Sequence, residues 1–155
     1  MNTNPKYQKN LYGLNFELSS LVKLYENNML SNKILLSGPK GVGKSTMAYH
    51  FINYIFSKDE DHSYNLNGFL ISPENKSYKL IENQSHPNLF IIDLLDEKKS
   101  IEISQIREMI KYANKSSFNN KPRFVLIDNV ENLNINSLNA LLKIVEEPNE
   151  NLFFI

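Results

Sequence analysis

Lys33-Ile34-Leu35-Leu36-Ser37-Gly38-Pro39-Lys40-Gly41-Val42-Gly43-Lys44-Ser45-Thr46 is the stretch that decides how this chain folds. Lys33–Ser37 is a short apolar run closed by a glycine turn, and it reads as a buried strand. Gly38–Ser45 then matches, at every fixed position, the pattern Gly-x-x-x-x-Gly-Lys-Ser. In that pattern the glycines let backbone N–H groups turn inward around phosphate oxygens. Lys44–Phe56 follows as a helix, with Met47, Ala48, Phe51, Ile52 and Ile55 along one stripe, and its N-terminal dipole faces the loop. The nucleotide-binding candidates are therefore Gly38, Pro39, Lys40, Gly41, Val42, Gly43, Lys44, Ser45 and Thr46. Lys44 is expected to reach the β- and γ-phosphates of ATP, and the Ser45 hydroxyl to bind Mg²⁺. A plain glycine turn before a helix is the bland alternative, but the strand before and the helix after are the context that the motif requires.

Working outward, strands alternate with helices. Leu14–Leu30 reads as a first helix, with Phe16, Leu18, Leu21, Leu24 and Tyr25 near helical spacing, and its aromatic residues are expected in the core rather than as a base-stacking platform. Ser57–Ser85 is polar and broken at Ser72-Pro73, and its acidic run Asp59-Glu60-Asp61 reads as a solvated loop. Asn88–Asp93 is a second strand, and Glu102–Asn114 a helix with Ile103, Ile106, Met109 and Ile110 inward. Ser116–Pro122 reads as a loop, Arg123–Asp128 as a third buried strand, and Asn136–Glu147 as a helix stopped by Pro148. Leu152–Ile155 begins a fourth strand. This alternation predicts an α/β fold: a parallel sheet with crossover helices on both faces.

Asp128 is the second chemical signal. An apolar strand that ends in Asp supplies, in proteins with such a loop, the carboxylate that holds magnesium and its waters. Alone the signal is weak; with Gly38–Ser45 upstream it is strong. The next position, where a hydrolytic site carries Glu to polarise the attacking water, holds Asn129. An amide can orient a water but cannot accept its proton. Glu131 lies two residues further on, where the chain has left the strand. Nucleotide binding with weak or absent hydrolysis is the expectation, with no catalytic residue assigned.

Composition limits the alternatives. The chain has 155 residues, 41% hydrophobic and 22% charged, with a formal net charge of zero. One domain, 1–155, is the default at this length. Nucleic-acid binding would have to come from a local patch rather than a bulk positive field. There is no cysteine, which excludes disulfides, cysteine nucleophiles and thiolate zinc sites and fits a reducing cytoplasm. Met1–Asn10 is polar and lacks an apolar signal core, and runs such as Leu89–Ile92 are too short to span a bilayer.

Two later segments resemble one family. Phe124-Val125-Leu126-Ile127-Asp128-Asn129-Val130-Glu131-Asn132-Leu133, then Asn139-Ala140-Leu141-Leu142-Lys143-Ile144-Val145-Glu146-Glu147-Pro148, are similar to the bacterial clamp-loader subunits of DNA polymerase III, AAA+ proteins with an Asn-Ala-Leu-Leu-Lys helix that closes on Glu-Glu-Pro. Ile103-Ser104-Gln105-Ile106-Arg107, Ser85-His86-Pro87-Asn88 and Leu11-Tyr12-Gly13 also fit. The resemblance implies a P-loop NTPase fold of three αβα layers with strand order 5-1-4-3-2. By it, the chain stops inside strand four, without the fifth strand, the γ-phosphate sensor, the Ser-Arg-Cys motif, the lid and the collar. The gamma/tau motor type has Asp-Glu at the magnesium strand and a four-cysteine zinc module. Asp128-Asn129 and the missing cysteines instead resemble the delta-prime branch, a poorly hydrolysing stator, with no zinc.

The same resemblance implies ATP and Mg²⁺ as cofactors and a role in loading the sliding clamp during DNA replication. It implies gamma/tau and delta subunits, the sliding clamp and primer-template DNA as partners. Arg107 and Lys143 become candidate DNA contacts, against the bland reading of exposed helical charges. A gamma/tau-type ATPase stays open as an alternative. A free-standing kinase would need a phosphate-acceptor site and a basic lid, neither of which is visible. An inert scaffold with a relic loop is opposed by the intact Lys44-Ser45 pair.

Overall fold

A computed structural model describes residues 3–95, 98–115, 119 and 121–155. The part of the expected Ser116–Pro122 loop at 116–118 and 120 lies outside the described residues. The chain forms two compact units, one of residues 1–30 and 36–86, the other of 31–35 and 87–155.

The first unit is helical. It carries α1 (Asn15–Glu26), α2 (Lys44–Phe56) and α3 (Lys76–Glu82), after a 3-10 turn at Pro5–Tyr7. Helix α2 matches its sequence boundaries, and its buried stripe includes Met47, Ala48, Phe51, Ile52 and Ile55. Helix α1 ends four residues before Leu30: Asn27 caps it, Asn28 turns left-handed at φ 54°, and the Met29 N–H returns to the Leu24 carbonyl. Its inward residues are Leu18 and Val22, with Tyr25 edge-on to Phe51 at 6.3 Å. Phe16 is 80% exposed, which corrects its expected place in the core: it falls on the opposite side of the helix from Leu18.

Helix α3 lies in the polar stretch Ser57–Ser85, where the sequence marks no helix. It is short, and two side chains supply its start. Asn75 Oδ1 accepts from the Tyr78 N–H at 2.6 Å. Glu60, from the acidic run, accepts from the N–H groups of Lys76 at 2.9 Å and Ser77 at 3.1 Å, and from the Ser77 hydroxyl at 2.6 Å. Glu60 is thus a helix cap at long sequence range rather than a free solvated carboxylate.

The second unit is a parallel α/β sheet. β1 (Leu89–Ile92), β2 (Arg123–Ile127) and β3 (Leu152–Phe154) lie in the order β1-β2-β3, with α4 (Ile103–Ala113) and α5 (Ile135–Glu146) as the crossovers. The register sets Leu89 beside Phe124, Ile92 beside Ile127 and Val125 beside Phe154. β2 is central, and Arg123–Leu126 are all buried. Ile92, Ile101, Ile106, Met109, Val125 and Leu152 form the core, each at 0% exposure. Within this unit α4 and α5 pack on one another, because two crossovers of the same hand moving in one direction fall on one face.

The expected first strand at Lys33–Ser37 does not form as a ladder. Only Lys33 bridges, in parallel, to Phe154, with the Ile34 N–H on the Phe154 carbonyl at 2.9 Å. Beyond Ile34, none of the described residues pairs as a strand with Leu35–Ser37. The bridge puts Lys33 next to β3, and the 4-3-2 part of the expected order is what β3, β2 and β1 form. Among the described residues there is no fifth strand.

A buried histidine ties the first unit together. His50 on α2 is 0% exposed. Its Nε2 lies 3.2 Å from the Gln8 carbonyl, which can only accept, so Nε2 carries the proton. Nδ1, 2.8 Å from the Tyr64 hydroxyl, then accepts from it. Burial lowers the His50 pKa to about 4. The folded group stays neutral where an unfolded histidine charges, so its contribution is full above the ordinary value of 6.5 and is lost as pH falls from there toward 4. Over that window the chain should lose up to about 3 kcal/mol of unfolding free energy through this residue. Denaturant titrations at several pH values should show that slope, and His50→Gln should remove it; equal slopes in the two proteins would refute the assignment.

Candidate functional site

The loop Gly38–Gly43 has the backbone that the sequence pattern calls for. Gly41 at φ 83° and Gly43 at φ 100° are left-handed, a conformation that a side chain would strain. A Cβ at Gly41 would meet nothing within 4 Å, whereas one at Gly43 would touch Leu14 Cδ1 at 3.4 Å. Gly43 is also the N-cap of α2, with no side-chain cap and no acidic residue in the first turn. The helix start therefore keeps its positive dipole end without a resident anion. Lys44 Nζ folds back onto the loop, donating to the Gly38 carbonyl at 2.9 Å and the Pro39 carbonyl at 3.0 Å. An ammonium has three donors, so one remains for another acceptor. Gly38–Val42 are exposed, and Gly43–Thr46 half-buried. The donor set suits a phosphate: glycine-shaped backbone, a helix start and one cation, with no carboxylate among them.

In the other unit, Asp128 follows β2 and is half-buried. Its N–H continues the ladder to the Ile92 carbonyl at 2.9 Å, and its Oδ1 accepts from the Asn129 N–H at 2.9 Å. Asn129 is left-handed, φ 56° and ψ 44°. Its side-chain amide donates to Asp93 Oδ1 at 2.8 Å. Glu131 sits in the 3-10 turn Val130–Asn132 beyond the strand. Asp93 had no assigned role at the sequence level, although the signal was there: Leu89–Ile92 is an apolar run ended by Asp, as Arg123–Ile127 is.

Arg107 on α4 and Lys143 on α5 are both exposed. The helices that carry them pack together, but each cation stands on a solvent-facing position of its own helix. Among the described residues, no group of three or more His, Cys, Asp or Glu side chains is placed to hold a metal ion. Among the same residues, no helix is long and apolar enough to cross a membrane.

Comparison with known proteins adds the lineage. Residues 14–155 match the family described as DNA polymerase III, delta subunit. The delta′ subunit of DNA polymerase III from Pseudomonas aeruginosa is 28% identical over 114 residues, 74% of this chain and 33% of that protein. The tau subunit from Bacillus subtilis is 32% identical over 139 residues, 87% of this chain and 23% of that protein. The delta′ subunit from the same organism is 26% identical over 125 residues, 81% of this chain and 35% of that protein. The chain therefore spans about a third or less of the length of these relatives. With the family match running through both units and across every element that carries the motifs, the chain belongs to the DNA polymerase III delta-subunit family of clamp-loader proteins.

Proposed function

We propose that this chain is the nucleotide-binding part of a delta-prime-like clamp-loader subunit of DNA polymerase III, in the cytoplasm, and that it binds ATP with Mg²⁺. In this reading the backbone of Gly38–Gly43 and the start of α2 hold the phosphates, and Lys44 turns from the loop carbonyls to the β- and γ-oxygens. Ser45 and Asp128 hold Mg²⁺, which when bound neutralises phosphate charge. The subunit would act mainly as a stator, in a ring with gamma/tau and delta subunits. That ring, part of a DNA-directed DNA polymerase complex, places the sliding clamp on primer-template DNA in replication. Arg107 and Lys143 are the proposed DNA contacts. The observation that carries the reading is the loop itself: left-handed Gly41 and Gly43 before an anion-free helix start, with Lys44 at its mouth.

A gamma/tau-type ATPase is favoured by one observation, the 32% identity with the tau subunit from Bacillus subtilis. Asn129 weighs against it, as does a sequence without cysteine for a zinc module. The stator reading therefore stands first.

Two measurements test it. Lys44→Ala removes the lysine that the motif fixes beside the phosphates. It should weaken ATP·Mg²⁺ binding by the full-length protein roughly 10–100-fold, the equivalent of about 1.5–3 kcal/mol for charge-assisted hydrogen bonds. Equal affinities by calorimetry would sink the P-loop assignment. A positioned general base contributes about 10²–10⁴-fold, so steady-state phosphate release should lie that far below a subunit with Asp-Glu at this strand. Motor-like turnover by the isolated full-length protein would overturn the stator reading.

A further inference from the structure

The turn at 66–69, in the first unit, carries a chemistry of its own. Of the five glycines in the chain, only Gly68 follows an asparagine. Asn67 and Gly68 are exposed. The turn is closed by Asn65 and Leu70, whose N–H groups reach one another's carbonyls at 3.0 and 3.1 Å. Just past it the N-terminal segment is held: the Leu11 N–H donates to the Phe69 carbonyl at 3.1 Å, and the Ile71 N–H to the Lys9 carbonyl at 2.9 Å. The left-handed position of the turn falls on Phe69, at φ 50°, rather than on the glycine. The backbone is thus strained where a bulky side chain fits least.

An asparagine before a glycine is open to attack from its own backbone. The nitrogen of the next residue can close a cyclic imide on the side-chain carbonyl carbon, and glycine puts no Cβ in its path. Here the fold adds a restraint, because the Gly68 N–H donates to Asn65 Oδ1 at 2.9 Å. The nitrogen must give up its proton before it attacks, and a neutral amide oxygen does not take that proton. The bond therefore keeps the proton in place and points it at Asn65. We propose that Asn67 is a site of spontaneous deamidation, converted to aspartate and isoaspartate with water as the reactant, and that Asn65 restrains the conversion in the folded turn.

The step balances with water alone. The Gly68 nitrogen, its proton lost to solvent, bonds to Asn67 Cγ as the bond from that carbon to the side-chain nitrogen breaks. The leaving nitrogen takes a proton from solvent and departs as ammonia. Water then opens the imide at either of its carbonyl carbons, giving aspartate or isoaspartate, and nothing is oxidised or reduced. The product has a carboxylate in place of an amide, which takes the formal net charge from zero to minus one. Isoaspartate also adds a methylene to the backbone shortly before Phe69 and the bonds that hold Lys9 and Leu11.

The test incubates the full-length protein at mildly alkaline pH and follows the peptide that carries Asn67. Mass spectrometry reads the change from amide to acid, and isoaspartyl-specific methylation reads the isomer. Wild type should accumulate both acids at position 67, and Gly68→Ala, whose Cβ would meet only the Asn65 side chain at 3.2 Å, should slow both. Asn65→Ala should speed the folded protein about fivefold, the equivalent of releasing a hydrogen bond worth about 1 kcal/mol. In denaturant, wild type and Asn65→Ala should convert at one rate, and wild type faster than when folded, a comparison that needs no variant to fold. An intact amide at 67 throughout the incubation would overturn the proposal. So would equal rates for folded wild type and Asn65→Ala, or a difference between them that persists in denaturant.

Discussion

The parallel register of β1 on β2 is the constraint on which the chemistry of the second unit depends. Ile92 beside Ile127 makes the two strands end in step, and only then can the Asn129 amide reach Asp93 at 2.8 Å. A slip of one residue would turn each β1 side chain to the other face, taking Ile92 out of the core and Asp93 away from Asn129. The register is held by burial rather than by the strand-end hydrogen bond. Ile92, Val125 and Leu152 sit on three successive strands at 0% exposure. Fully burying each such side chain stabilises the fold by about 1.5–3 kcal/mol, so the three together outweigh the roughly 1.5–3 kcal/mol of a single hydrogen bond to a charged group. The core therefore places the polar edge.

Helix α4 is tied to the sheet at both of its ends, which fixes Asp93 from a second direction. At its start Gln105 closes a capping box with Glu102 and also holds the Asp93 carbonyl. At its end the buried Arg123 of β2 donates to the carbonyls of Tyr112 at 3.0 Å and Ala113 at 3.2 Å, a cation at the negative end of a helix dipole. Arg123 is 4% exposed, and its Nε and the Tyr112 hydroxyl are buried without a hydrogen-bond partner among the described residues. The Tyr112 ring lies 5.4 Å from the guanidinium carbon, which offsets part of that cost. Tyr112 is held protonated, because burial pushes its pKa up.

Sequence periodicity revealed the elements whose stability is local or comes from a long apolar face. α2, α4 and α5, and strands β1 to β3, have their stripes or runs written in consecutive residues. α3 does not: its start is capped by Glu60, sixteen residues before Lys76, and no local pattern encodes a partner at that distance. In a chain rich in Asn, Asn75 was one turn signal among many, although its side chain does cap α3. Phe16 illustrates another limit, since near-helical spacing gathered residues from two faces and only packing separates Leu18 from Phe16. The motif residues of the loop were legible because backbone geometry demands those glycines. Asp93 was not, because its distinguishing feature is a partner on the next strand.

Backbone strain explains why the acid and the amide stand where they do. Asn129 sits at φ 56° and ψ 44°, a left-handed conformation that costs most L-residues about 1–2 kcal/mol, and Asn less because its short side chain bonds locally. Here that local bond is visible: its N–H meets Asp128 Oδ1, and its amide continues on to Asp93. A Glu at 129 would meet the conformation with a longer side chain and place a second carboxylate against Asp93, raising the pKa of one of the pair. Asp93, at the end of β1, lies outside the set of left-handed residues and carries no such strain. The turn after β2 is thus given the residue that its backbone tolerates, and the charge stands on the neighbouring strand.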